Sequence, residues 1–383
     1  VLRRTAQVSL LALGVLAVVE LVCFAFFRLA RDRFAFADPE RYVLSPDRIE
    51  PLRRGFDAEL GWVSHFDTPH GERPHSVSYG RPLMATFGDS HVFCDEVGDE
   101  ETWQTYLAES LQADVLNFGV SGYGPDQALL RMRRVSAGLR TPTYALGLGL
   151  ENINRIVNRY RPFYFAGTGL PLPKPRFVLV DSRLRLIPNP VHTAGELDRL
   201  TDPAFIQKLG EHDEWYTRRD LPRLGFPYCR LLVDPRIWHQ ALDRRARRSD
   251  NDPVPRANLW REEGPRRLYF ALMDAFAADA KAAGGQALFV LPPGRALAEA
   301  RREGRGIPGY NRVLQHCRER GYDCFDGIEW LHQAVGDEEP LDDDFRPGGH
   351  CSPRGNRVMA DGLRRFLEAR GLWPPPAAKG GTR

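Results

Sequence analysis

Leu83-Met84-Ala85-Thr86-Phe87 runs directly into Gly88-Asp89-Ser90-His91. Five residues with one polar member read as a buried strand, and Gly-Asp-Ser reads as the tight turn that ends it. Acidic and then helix-forming residues follow, from Asp95 to Leu111. A strand that delivers a serine onto a sharp turn before a helix holds a hydroxyl out as a nucleophile. A helix-capping serine uses the same residue types, so the turn gains meaning only from its partners elsewhere in the chain.

Working outward, the strand at Pro82–Phe87 is the first of a regular alternation. A helix is expected over 101–112, a strand over 114–118, a helix over 126–139 and a strand over 144–149. Alternation then stops between about 162 and 261, a stretch that holds a small hairpin (177–180 with 184–187) and the aromatics Trp215, Tyr216 and Trp238. So long an excursion is expected to be an insertion at an edge or the mouth of the sheet. A helix over 264–283, a strand over 287–291, a helix over 310–320, a short strand at 324–325 and a helix over 353–370 complete the pattern. Ser352 is the expected N-cap of that last helix, with Pro353 at its first position. Strand-helix repetition of this kind makes a parallel sheet with helices on both faces, an α/β domain.

The 383 residues are 43% apolar and 27% charged with a net charge of +3, which is a globular composition. No Lys/Arg tract stands apart as a footprint for nucleic acid, and that class of partner is not expected. Residues 6–30 are almost continuously apolar, broken by Glu20 and flanked by Arg3, Arg4, Arg28, Arg31 and Arg33. That run matches the ~20 residues needed to span a bilayer and exceeds the ~7 to 15 of a signal-peptide core. The expectation is therefore a single N-terminal membrane anchor over residues 1–30, exporting the rest of the chain. A connector over 31–78, a catalytic-type domain over 79–372 with its insertion at about 163–262, and a disordered tail over 373–383 would follow. The six cysteines show no metal-finger spacing, so no metal or other cofactor is expected. Cys317 and Cys324 flank a helix-to-strand turn, as a bridge or as two free thiols.

In an open parallel sheet, ligands bind beyond the carboxyl ends of the strands. Four blocks stand at such places: Gly88-Asp89-Ser90, Asn117-Phe118-Gly119-Val120-Ser121-Gly122-Tyr123-Gly124, Gly149-Leu150-Glu151-Asn152, and Gly348-Gly349-His350-Cys351-Ser352-Pro353. In this order they resemble the blocks of the SGNH (GDSL-type) hydrolase superfamily, over about Pro82 to Arg370 without the insertion. The resemblance implies a three-layer α/β/α flavodoxin-like domain with Ser90 as nucleophile and His350 as general base. It also implies an oxyanion hole made by the backbone N–H groups of Ser90 and Gly119 and the side-chain amide of Asn152. Physics supports such a division of labour, since a serine hydroxyl needs a base and a tetrahedral oxyanion needs preorganised donors.

The chain departs from the family in two places, one of them the block that usually reads Gly-x-Asn-Asp, where Ile153 follows Asn152. An aspartate usually precedes the histidine by three residues, and position 347 here is Pro347. Asp344 is the nearest acid and the candidate to orient the imidazole; the alternative is a Ser–His dyad held by a backbone carbonyl. Arg155, Arg159 and Arg161 with Tyr160, Phe163 and Tyr164 form a cluster that suits either an anionic or sugar substrate or the packing of the insertion. The expected function is a serine esterase acting through an acyl-serine, with an ester or acylated carbohydrate, such as an O-acetylated extracytoplasmic glycan, as substrate. Transfer of an acyl group to a polysaccharide is the alternative on the same residues. A non-catalytic glycan-binding or assembly protein is the alternative from another class.

Overall fold

The computed structural model describes residues 2–30, 33–34, 36, 39–75, 77–165, 167–217, 222–239, 258–336 and 339–373. All but the first residue of the expected tail lies outside these, as does part of the insertion. The chain divides into two compact units, one made of residues 51–159, 170–197 and 258–383, the other of 1–50, 160–169 and 198–257.

The first unit carries five parallel strands: β1 (Pro82–Phe87), β2 (Asp114–Asn117), β3 (Thr143–Gly147), β4 (Gln286–Leu291) and β5 (Asp323–Asp326). Their order is β2-β1-β3-β4-β5. β1 is buried from its second residue to its last, which is why it reads as an apolar run with Thr86 its one polar member rather than as an alternating strand. The chain leaves β1 toward β2 and then returns to place β3 on the other side, so the order reverses at β1 and a crevice opens at the carboxyl ends of β1 and β3.

Helices cover both faces. On one, α2 (Trp103–Leu111) and α8 (Pro353–Ala369) press Leu107, Leu111, Leu363 and Leu367 onto Leu83, Val115, Val290 and Phe325. On the other lie α3 (Pro125–Ser136) and α4 (Glu263–Ala282), with Phe276 of α4 edge-on to Phe87 and tilted against Phe289. The layers are therefore α/β/α, as the resemblance implied. Ser352 caps α8 by accepting the Gly355 N–H at 3.2 Å, and Pro353 takes the first helical position. α6 (Tyr310–Arg320) falls on the expected residues. Helices not anticipated in this unit include α5 (Arg295–Arg302), short and highly charged after a Pro-Pro-Gly, and α7 (Gly327–Val335), which starts at a glycine. The hairpin forms over Arg176–Val180 and Arg183–Ile187. Cys317 and Cys324 are both free thiols.

The second unit has an aromatic interior in which Tyr42, Tyr160, Phe163 and Tyr216 meet edge-on or tilted and Trp215 is buried. Trp215 and Tyr216 thus belong to that unit's own core. The unit also contains α1 (Leu2–Leu29), within which Ser9–Leu29 is long and apolar enough to cross a membrane, with a mean hydropathy of 2.7 and 11% of the window buried.

Candidate active site

Ser90 opens a single helical turn, Ser90–Phe93, straight after the β1 turn. Two glycines permit this geometry. A Cβ on Gly88 would lie 2.5 Å from a Val92 methyl, and one on Gly119 would lie 2.3 Å from the Phe93 nitrogen. The serine turn is therefore packed against the backbone of the loop after β2.

Asp89 caps that turn, accepting the His91 N–H at 3.0 Å. Its carboxylate is fully buried and accepts from Asn152 Nδ2 at 2.8 Å, with Arg155 at 3.4 Å. Burial alone would raise this carboxyl; the charges of His91 and Arg155 and the Asn152 hydrogen bond outweigh it and hold the group below its ordinary value. An ionised carboxylate only accepts, so Asp89 fixes which end of the Asn152 amide faces it. Asn152 Oδ1 has no hydrogen-bond partner and is buried. Arg155 also donates to the Tyr123 carbonyl at 2.8 Å and pairs with Glu151. It ties the loops after β1, β2 and β3 together from beneath, so it serves as internal scaffolding instead of facing an anionic or sugar substrate.

His350 sits in a tight turn. Arg346 N–H donates to the His350 carbonyl at 2.8 Å, Gly349 N–H to Arg346 at 2.9 Å, and Arg295 N–H to the Gly349 carbonyl at 3.0 Å. Pro347 lies inside this turn, and Gly349 has a φ of +89° that suits its lack of Cβ. The His350 ring stands 4.8 Å from the His91 ring, centroid to centroid, so the turn that carries it reaches the residue next to Ser90. Burial, with the neighbouring His350, lowers the His91 pKa against the pull of Asp89. Among the described residues no hydrogen bond joins Ser90 Oγ to His350.

The acid on His350 is Glu96. Its Oε2 lies 2.8 Å from Nδ1 of the ring, and its Oε1 accepts the Gly348 N–H at 2.9 Å. Partial burial acts against the charge, but these two hydrogen bonds and the imidazole hold the Glu96 carboxyl below its ordinary value. Asp344, the acid expected from sequence, lies elsewhere. Its carbonyl accepts the Ser352 N–H at 2.8 Å, and its buried carboxylate faces Arg354 Nε at 3.6 Å with no hydrogen bond. Burial, opposed by Arg354, raises its pKa. The backbone pairing around the 345–351 turn holds Asp344 away from the imidazole.

Glu96 is held by its own loop. Cys94 and Glu96 both adopt left-handed backbone, at φ +63° and +73°, which costs a side-chain-bearing residue about 1–2 kcal/mol. Arg73 compensates. Its guanidinium donates to the carbonyls of Phe93 (2.5 Å), Cys94 (2.9 Å) and Val97 (2.7 Å) and to Asp99 (2.7 Å), and stacks over the Phe93 ring at 4.6 Å. Ser121 Oγ donates to Asp95 at 2.5 Å in the same loop. Residues expected to be a connector therefore contribute the clamp.

Of the expected oxyanion donors, Asn152 lies beside the serine turn through Asp89, and Ser90 is at its start. The Gly119 N–H is already committed to Asn117 Oδ1 at 2.9 Å. Close packing on Phe93, and not a free donor, accounts for the glycine there. Glu96 and Arg73 were missed because nothing in their spacing links them to His350; only the left-handed loop, invisible in sequence, brings Glu96 round. No group of acidic, histidine or cysteine residues fit to hold a metal ion occurs among the described residues.

No protein-family model matches the sequence, and no curated protein matches it. Among solved structures the chain is similar to a member of the lipolytic protein G-D-S-L family from Veillonella parvula DSM 2008, at 11% identity and a TM-score of 0.39, covering 75% of this chain and 98% of that one. It is also similar to the acetyl xylan esterase AlAXEase, at 14% identity and a TM-score of 0.35, covering 74% of this chain and 99% of that one. Similarity of this degree does not reach the chemistry, which rests on the residues of this chain.

Proposed function

We propose that the protein is a serine esterase of the SGNH class in which Ser90, His350 and Glu96 form the catalytic triad. The observation that carries the reading is the Glu96–His350 hydrogen bond beside the Ser90 turn: with Nδ1 engaged by a carboxylate, the proton sits there and Nε2 is the basic nitrogen. Ser90 Oγ attacks the ester carbonyl carbon as its proton passes to His350 Nε2, and the resulting oxyanion is met by the Asn152 amide and the Ser90 N–H. Collapse expels the alcohol, which takes the proton from His350. Water, deprotonated by the same nitrogen, then hydrolyses the acyl-serine.

Substrates with small acyl groups, including acetylated carbohydrate, are the class we assign, and the Ser9–Leu29 helix is the membrane anchor that holds the enzyme at the surface where it works.

The test is turnover of 4-nitrophenyl acetate by the full chain in detergent, with Ser90→Ala and His350→Ala variants checked for folding by circular dichroism. Activity lost in both folded variants, and labelling of Ser90 by a fluorophosphonate, is the expected result. A folded, inert parent that resists the label would return the chain to the glycan-binding alternative.

A further inference from the structure

We propose that residues 224–238 form a wedge that enters the bilayer alongside α1, making membrane contact a two-element affair. This rests on the anchor reading above. A helix rises ~1.5 Å per residue and the hydrocarbon core is ~30 Å thick, so Ser9–Leu29 fills it and Glu20 falls roughly at mid-depth.

A lone carboxylate there is costly in lipid, and so is a bare backbone N–H. The structure resolves both at once. The Glu20 carboxylate accepts the N–H groups of Tyr228 and of Cys229, the latter at 2.9 Å. Above that point Cys23 and Phe27 of α1 are sealed against Leu231 and Ile237 with Phe36, and Phe24 meets Tyr228 edge-on. The side chains packed between Glu20 and Phe27 span about 11 Å along the helix, and the groove shared with Phe226 and Pro227 reaches back to Leu13, about as far on the other side of Glu20.

The outer side of this segment is apolar and uncovered. Phe226 and Val233 are each 80% exposed and Trp238 55%, while on α1 Leu13 and Leu21 are 64% and 67% exposed. A groove of about 610 Å³ between Leu13, Ala17 and Leu21 of the helix and Phe226 and Pro227 of the segment is open along its length, as a site filled by acyl chains would be. The polar groups of the segment are largely satisfied within it. Trp238 Nε1 donates to the Leu232 carbonyl at 2.8 Å, Arg236 closes on Asp234 at 2.6 Å, and Arg230 donates to the Arg223 carbonyl at 2.9 Å. Long arginine side chains at such a place carry their charge to the headgroups. Because Phe226 and Pro227 share one groove with the exposed flank of α1, one medium covers both, and we assign lipid as that medium.

The test uses the full chain with Cys229 and Cys324 replaced by serine, leaving only buried thiols. Phe226→Cys, Val233→Cys and Val15→Cys are labelled with NBD and reconstituted in phosphatidylcholine/phosphatidylglycerol vesicles with or without brominated acyl chains. Blue-shifted emission quenched by brominated lipid at all three positions is the expected result. Quenching at Val15 alone overturns the wedge and leaves the anchor standing; quenching at none overturns both. Blue-shifted probes at 226 and 233 that ignore bromine but respond to protein density in the vesicle would mean that protein covers the patch, and would equally overturn the proposal.

Discussion

Glu96 holds Nδ1 of His350 at 2.8 Å while the same carboxylate takes the Gly348 N–H at 2.9 Å, so one acid fixes both the ring and the turn that carries it. On the proposed mechanism Glu96→Gln leaves the geometry and removes the charge that sets the imidazole tautomer. A loss in kcat of about 10³- to 10⁴-fold is expected, as for triad acids generally. Asp344→Asn should stay within about threefold of the parent, since that carboxylate makes no hydrogen bond to the ring. Steady-state kinetics on the two variants decide between the acids, and the reverse ranking would restore Asp344.

Arg73 is predicted to matter to turnover without touching substrate. Arg73→Met frees three carbonyls and a strained loop, and kcat should fall about 10- to 100-fold with KM little changed, the size expected of a slightly misplaced catalytic group. Arg73→Lys should rescue poorly, because an ammonium cannot reproduce a planar fork. Equal loss of activity and of folded protein would reduce Arg73 to a structural residue.

Asn152 and Gly119 should part company. Asn152→Ala is expected to lower kcat about 10²- to 10³-fold in a folded protein, the effect of losing one oxyanion donor. Gly119→Ala should instead destabilise by about 1–3 kcal/mol, because its methyl meets the Phe93 backbone, which cannot give as a side chain can. Urea titration alongside kinetics separates the two; a stable, inactive Gly119→Ala would revive that glycine as a donor.

The pH dependence of stability follows from two carboxylates shifted in opposite directions. Asp89 is depressed when folded, so it contributes stability above its unfolded value of 3.8, which is lost as pH falls through the lower folded value. Asp89→Asn should therefore cost roughly 3 kcal/mol, as breaking a buried pair does, evenly between pH 7 and 5 and less below about pH 4. Asp344 is raised, so it binds its proton more readily when folded and subtracts stability above its folded pKa. Asp344→Asn should be neutral or stabilising at pH 7. Denaturant midpoints at pH 7, 5 and 4 check both signs.

The elements that could be read in advance are those whose sequence carries a period or a cap. β1 and α6 fall on the expected residues, and Ser352-Pro353 announces α8. α5 escaped because it starts after Gly294 with no capping side chain, whereas α7 carries a readable cap, Asp326 accepting the Glu329 N–H at 3.1 Å, that the short strand before it obscured. At the site, Ser90, Asn152 and His350 stand at strand ends or before a helix, where pattern points to them. Glu96 and Arg73 are joined to the site by backbone conformation and by a side chain crossing between segments, neither of which leaves a spacing to read.

Proposed nucleophile and acid are only six residues apart on one loop, locked to each other by local backbone. Three groups drawn from three separate elements would need several long-range distances to be right together. Here a single degree of freedom remains, the seating of the 346–350 turn against that loop. The Glu96–His350 bond seats that turn on the loop that carries Ser90, so on the proposed mechanism the only contact still to be made is the one between the imidazole and the serine hydroxyl.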